Sequence, residues 1–129
     1  MKRIEAMNRA KFVKQGSKMV FVFDLSSLDP DDVHAVMMRG EDVIRRMPQK
    51  SVLTLANIRD NERYDILREY TKHFVENYGS QVAKMAVSGI ADNRVREEWS
   101  DMLSSLVEDL ELFDNVDDAV SWLIDSQAA

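Results

Sequence analysis

The sequence predicts a single α/β domain, ββαβαβαβα, built on a mostly parallel sheet. Three observations predict it. Four short runs rich in β-branched, aromatic and other apolar residues recur along the 129 residues. Each is followed by a segment with apolar residues at helical spacing. Asp, Asn, Ser, Gly or Pro marks most of the junctions between them. Strands alternating with helices of this length call for parallel strands joined by right-handed crossovers, with the helices lying against the sheet.

The first strong strand is residues 19–25 (MVFVFDL), a continuous apolar run of the kind covered on both faces. Asp29 stands as N-cap of the helix that follows. Pro30 takes the first helical position, and Asp31 and Asp32 lie in the first turn, where the helix dipole favours negative charge. Val33, Val36, Met37, Gly40, Ile44 and Met47 form the apolar stripe of this helix, and Pro48 ends it. Glycine inside a helix costs about 1 kcal/mol relative to alanine, so Gly40 on the stripe implies close packing of helix on sheet. The second unit is the strand 51–56, the polar stretch 57–61, and a helix with Leu67, Tyr70, Thr71, Phe74 and Tyr78 on one side, closed by Gly79. The third is the strand 82–87, a break at Ser88 and Gly89, and a helix carrying Val95, Trp99, Met102, Leu103 and Leu106. The fourth is the strand 110–113 and a helix capped by Asn115, with Asp118 completing a capping box and Ala119, Val120, Leu123 and Ile124 facing inward. Upstream, residues 11–14 and the turn at Gly16 predict a hairpin onto the first strong strand. The domain so defined runs over residues 11–125, with a basic N-terminal arm at 1–10 and a C-terminal tail at 126–129.

Composition excludes several function classes. The chain has no cysteine, which removes disulfides, thiolate metal sites and cysteine nucleophiles and fits a cytoplasmic location. No apolar run approaches the roughly 20 residues needed to span a bilayer, and with no apolar stretch after residues 1–5 a secretory signal is not expected. Net charge is −6, yet residues 1–18 hold six basic side chains (Lys2, Arg3, Arg9, Lys11, Lys14, Lys18) against Glu5 alone. Such a segment reads either as an arm for RNA, an anionic membrane or an acidic partner, or as a solvated terminus or a self-neutralising contact with the acidic body. It lacks the interleaved aromatics of single-strand binders, which argues against nucleic acid. Residues 97–118 carry nine acids and no Lys or Arg. They read either as a docking face for a basic partner, including a second copy's basic arm, or as a solvated helix face.

Ligands of open α/β sheets gather at the carboxyl ends of the strands. Four segments qualify: 24–29, 57–61, 88–93 and 114–117. Within them the candidates for ligand or partner binding are Ser26, Ser27, Asn57, Asp60, Asn61, Ser88, Gly89 and Asn93. The same residue types serve as turns and caps. Gly89 is suggestive because a glycine between strand and helix lets another backbone come close. No catalytic set is expected. G-x-S-x-G is absent, and the paired acids (Asp31 with Asp32, Glu97 with Glu98, Asp117 with Asp118) are neighbours that point apart on a helix. His34 and His73 stand alone, without the H-E-x-x-H spacing of a zinc site; His34 is expected in solvent and His73 near a helix end, so no metal or cofactor is expected. Trp99, Trp122, Phe113 and the eight methionines read as core.

Four stretches together resemble a known group. They are Met19-Val-Phe-Val-Phe-Asp-Leu-Ser-Ser-Leu28, Pro48-Gln-Lys-Ser-Val-Leu-Thr-Leu-Ala56, Val82-Ala-Lys-Met-Ala-Val-Ser-Gly-Ile90 and Phe113-Asp-Asn-Val-Asp-Asp-Ala-Val-Ser-Trp-Leu123. Their order is similar to bacterial STAS-like proteins, the module of anti-sigma-factor antagonists and of sulfate-transporter tails, often described with the lipid-transfer CRAL-TRIO fold. The resemblance covers about residues 11–125. It implies helices packed mainly on one side of the sheet, and a non-enzymatic regulatory or protein-interaction role. In phospho-switched members a Ser or Thr opens the helix after the central strand, where added charge controls a partner contact. The matching segment here, Asn57-Ile-Arg-Asp-Asn61, has neither, and Asp60 supplies a fixed charge or a helix cap. The alternative implied by the same resemblance is a carrier of a small apolar ligand or lipid. A homodimer through an edge strand at 11–14 or 110–113 is open as well.

Overall fold

Residues 2–125 are described by the computed structural model of the chain; the 126–129 tail lies outside them. The elements are α1 (Arg3–Arg9), β1 (Ala10–Gln15), β2 (Lys18–Asp24), α2 (Pro30–Ile44), β3 (Val52–Asn57), α3 (Tyr64–Tyr78), β4 (Val82–Ser88), α4 (Asn93–Ser104), β5 (Leu110–Phe113) and α5 (Val116–Ile124), with a short 3-10 turn at Gly79–Gln81 between α3 and β4. The fold is α/β. Five strands lie in the order β1-β2-β3-β4-β5. β1 runs antiparallel to β2, with Val13 opposite Val20, and the other three pairings are parallel. The hairpin turns through Gly16 at φ 63, a left-handed conformation that costs glycine little.

This strand order decides where the helices go. From β2 to β5 every parallel crossover steps one strand in the same direction, and crossovers are right-handed, so α2, α3 and α4 fall on one face. There they cover Phe21, Phe23, Met85 and Val87 with Val36, Ile44, Leu67, Phe74, Trp99 and Leu103. α5, which follows the last strand, turns back over the other face and packs Ala119 and Leu123 on Val20, Leu55 and Ala86. The two cores are therefore unequal in size. Along the larger one the rings of Phe12, Phe21, Phe23 and Phe74 stand edge to face at centroid distances of 5.0, 5.1 and 5.0 Å.

Local sequence explains the helix starts. The Asp29 carboxylate accepts from the Asp32 amide at 2.9 Å, and Pro30 holds the first helical position of α2. Asn115 accepts from the Asp118 amide at 2.9 Å while its own amide donates to the Asp118 carboxylate at 3.1 Å, completing the expected box. Gly40 is buried against Phe23 so closely that a Cβ would lie 1.9 Å from a ring carbon.

Several expectations are corrected. Arm residues Arg3–Arg9 form α1, which packs with Ala6 buried. Gly79 does end α3, but at φ −61, so the chain continues into the 3-10 turn instead of a left-handed cap. Asp60 is not the cap of α3: Arg63 holds that position, and Asp60 sits earlier in the loop at φ 55. Leu106 lies beyond the end of α4 and is 39 % exposed. His34 is exposed as expected, yet its Nδ1 lies 2.8 Å from the Tyr70 hydroxyl.

Candidate functional site

Because β2 to β5 are parallel, their carboxyl ends and the N-termini of α2 to α5 share one end of the molecule. The loops there are locked to one another. Asp24 Oδ1 accepts from the Ser26 amide at 3.2 Å and the Ser26 hydroxyl at 2.6 Å. Arg9 reaches from the end of α1 to donate to the Ser26 carbonyl at 3.0 Å. Ser27 adopts φ 58 and donates its amide to the Arg59 carbonyl at 3.2 Å. Asn61 is the main staple. It is 2 % exposed, and its side-chain amide donates to the carbonyls of Leu25 at 2.9 Å and Leu28 at 3.0 Å. Buried carbonyls left without such donors would cost roughly 1–3 kcal/mol each.

The next loop is fitted equally closely. Gly89 adopts φ 97, and a Cβ there would sit 2.6 Å from the Arg59 amide nitrogen. The backbone that approaches this glycine is thus the chain's own. The Ile58 amide donates to the Ser88 carbonyl at 2.9 Å, and the Gly89 amide to the Phe113 carbonyl at 3.2 Å. The Asn57 side-chain Oδ1 accepts from the Arg59 amide at 3.2 Å and from the buried Ser88 hydroxyl at 3.5 Å.

Between the ends of β3, β4 and β5 and the start of α5 these loops enclose an open cleft of about 730 Å³. Asn57, Asn61, Ser88 and Gly89 line it, with Asp60, Glu62, Asp114 and Asp117 and the single cation Arg59. Arg96 of α4 braces one wall by donating to the Asp114 carboxylate and to the Leu112 carbonyl. Of the residues picked from sequence, Asn57, Asp60, Asn61, Ser88 and Gly89 come together here. Ser26 and Ser27 lie in the adjoining loop, bonded as described. Asn93 opens α4 behind its cap Asp92, whose carboxylate accepts from Arg94 and Val95 amides at 2.9 and 3.1 Å. Arg59, Glu62, Tyr64 and Asn115 line the cleft without having been singled out as site residues. The signal that could have found Asn115 and Asp117 was their position in the fourth strand-end segment.

The lining mixes polar and apolar surface and carries four acids against one guanidinium. Asp60 is paired to Arg59 at 3.5 Å and Asp114 to Arg96, and Glu62 and Asp117 add acceptors for a cationic or hydrogen-bond-donating occupant. It contains no histidine, and among the described residues no group of three or more His, Asp or Glu is placed to hold a metal ion. The two histidines lie on α2 and α3. His73 Nε2 stands 3.4 Å from Glu41 Oε1, a carboxylate oxygen buried without a hydrogen bond. Burial pushes the Glu41 carboxyl above its usual 4.5, and His73 and then His34 pull it back down.

No family model, no curated protein and no solved structure matches this chain. Among the described residues no helix is long and apolar enough to cross a membrane.

Proposed function

We propose that this chain is a non-enzymatic regulatory module of the STAS-like kind, which docks a protein partner at the cleft on the carboxyl ends of β3, β4 and β5. The observation that carries this reading is the cleft itself. It gathers five of the eight sequence-selected residues, and its wall is the Asn57–Asn61 loop, where the resembling switches place a phosphorylatable hydroxyl. Here that loop presents Asp60, 71 % exposed at its side chain, in place of a switchable group. A fixed charge supports constitutive docking over phosphorylation control. The excess of acids in the lining favours a basic segment on the partner.

Affinity capture with the wild-type chain and with Asp60→Arg/Asp114→Arg tests this. A partner held by the wild type and lost by the variant supports the reading, and identical capture by both overturns it. The alternative, a carrier of a small apolar ligand, has support in the methionine content, while the acids of this cleft favour a charged or hydrogen-bonding occupant. Native mass spectrometry of freshly purified protein decides between them: a co-purified apolar molecule would favour the carrier.

A further inference from the structure

The opposite end of the sheet, where β2 to β5 begin, is built from two unlike halves. On the β1–β2 side an apolar hollow of about 520 Å³ is lined by Phe12, Met19, Met47 and Leu53, with Lys18 at its edge. Met19 is 49 % exposed. Lys14 lies directly across the hairpin from Met19, and neither Lys14 nor Lys18 has an ion-pair partner among the described residues. On the β4–β5 side a second hollow of about 590 Å³ is lined by Val75, Val82, Leu106 and Val107, with Glu76, Glu108 and Asp109 around it. Leu106 is 39 % exposed. The first half thus pairs exposed Met19 with an apolar hollow, the second pairs exposed Leu106 with a hollow of mixed lining, and the two halves carry excess charge of opposite sign. Lys50 also lines the second hollow and reaches Glu108 at 3.8 Å, which leaves Glu76 and Asp109 as that half's excess charge.

A patch with these properties is complementary to itself. A two-fold axis passing between the halves sets the lysine half of one copy on the acidic half of the other, and makes the same contact again on the far side. Met19 of each copy then faces the hollow beside Leu106 of its mate, and Leu106 faces the hollow beside Met19. Pairing like halves instead would set Lys14 and Lys18 against the same lysines. We propose that this end of the sheet is a two-fold interface with a second copy of the chain, formed by Lys14, Lys18 and Met19 against Leu106, Glu108 and Asp109. The docking cleft at the other end stays open in such a dimer, so the proposal stands or falls independently of the partner reading.

Sedimentation equilibrium of the whole chain, from micromolar to millimolar concentration at low and high salt, tests it. The expected result is a mass that rises to a plateau at two copies, with affinity weakened by salt because the charged contacts are screened. Lys14→Glu/Lys18→Glu and Glu108→Lys/Asp109→Lys should each weaken self-association about tenfold or more. Mixed in equal amounts the two variants should dimerise again, since each then supplies the charge its mate has lost. That rescue also shows that both are folded. Glu97→Lys/Glu98→Lys on α4, which makes the same change in net charge as Glu108→Lys/Asp109→Lys, should dimerise like the wild type. A chain that stays monomeric throughout, a mass that grows past two copies, failure of the mixture, or an equal loss in the α4 variant would each overturn the proposal.

Discussion

One face of the sheet buries Phe21, Phe23, Met85 and Val87 under three long helices, whereas the other rests Val20, Leu55 and Ala86 against α5 alone, nine residues long. The difference follows from connectivity. Same-direction crossovers send every connecting helix to the first face, and only a helix after the last strand is free to take the second. The first face also carries the ring chain and the Gly40 contact, where every side chain is held from several sides. The second is held along one helix, whose apolar positions 116, 119, 120, 123 and 124 form a single stripe. Stability should therefore be global on one face and partly local on the other.

Four substitutions would break or sharpen this contrast, in decreasing order of effect. Phe23→Ala removes a fully buried ring that touches two other rings and Gly40, and should cost about 4 kcal/mol in denaturant unfolding. Gly40→Ala drives a methyl group into that same ring and should cost about 3 kcal/mol. Tolerance of it, at unchanged melting temperature, would mean that α2 sits further from the sheet than described. Leu123→Ala opens the second face and should cost about 2 kcal/mol, the low end for a buried leucine, because α5 can shift to fill the space. Hydrogen exchange should then show protection lost in α5 and retained in β3; uniform loss would show that the two faces unfold as one.

The smallest effect concerns Glu41, on the seam between α2 and α3. Its carboxyl is raised in the folded state, so folding is favoured most below the unfolded value of 4.5 and loses that contribution as pH rises through the folded value. Glu41→Gln should then be the more stable protein by about 1 kcal/mol at about pH 8. Its advantage should shrink towards pH 4.5, where the native carboxyl itself takes up a proton. A denaturation series across that range in which the two proteins differ by a constant amount would remove this account of the seam.

The features legible in the sequence were those written in short-range pattern. Strand and helix order, the caps at Asp29 and Asn115, and the tight packing at Gly40 depend on residues a few positions apart or on a single conspicuous glycine. The hairpin at β1 followed from Gly16 and two β-formers. What stayed hidden depends on distant segments meeting. α1 has only seven residues, too few to stand as a helix alone, and is held where Ala6 and Ala10 are buried. Glu41 reads as one more charge on α2 until α3 covers it. Asn61 reads as a turn residue, although its amide ties two loops more than 30 positions apart in sequence. The cleft was half legible for the same reason. Parallel strands announce which end to inspect, but only the register brings Asp114 and Asn115 into one cleft with Asn57, across Ser88.

The lone helix on the second face also sets a schedule. In a chain that emerges amino end first, β1 to β5 and the three helices of the first face are all exposed ahead of α5. Until α5 follows, Val20, Leu55 and Ala86 have nothing over them. Newly made protein therefore passes through a stage with one finished side and one sticky side. The nine residues that end this stage govern how long the nascent molecule remains open to chaperones and to its own neighbours.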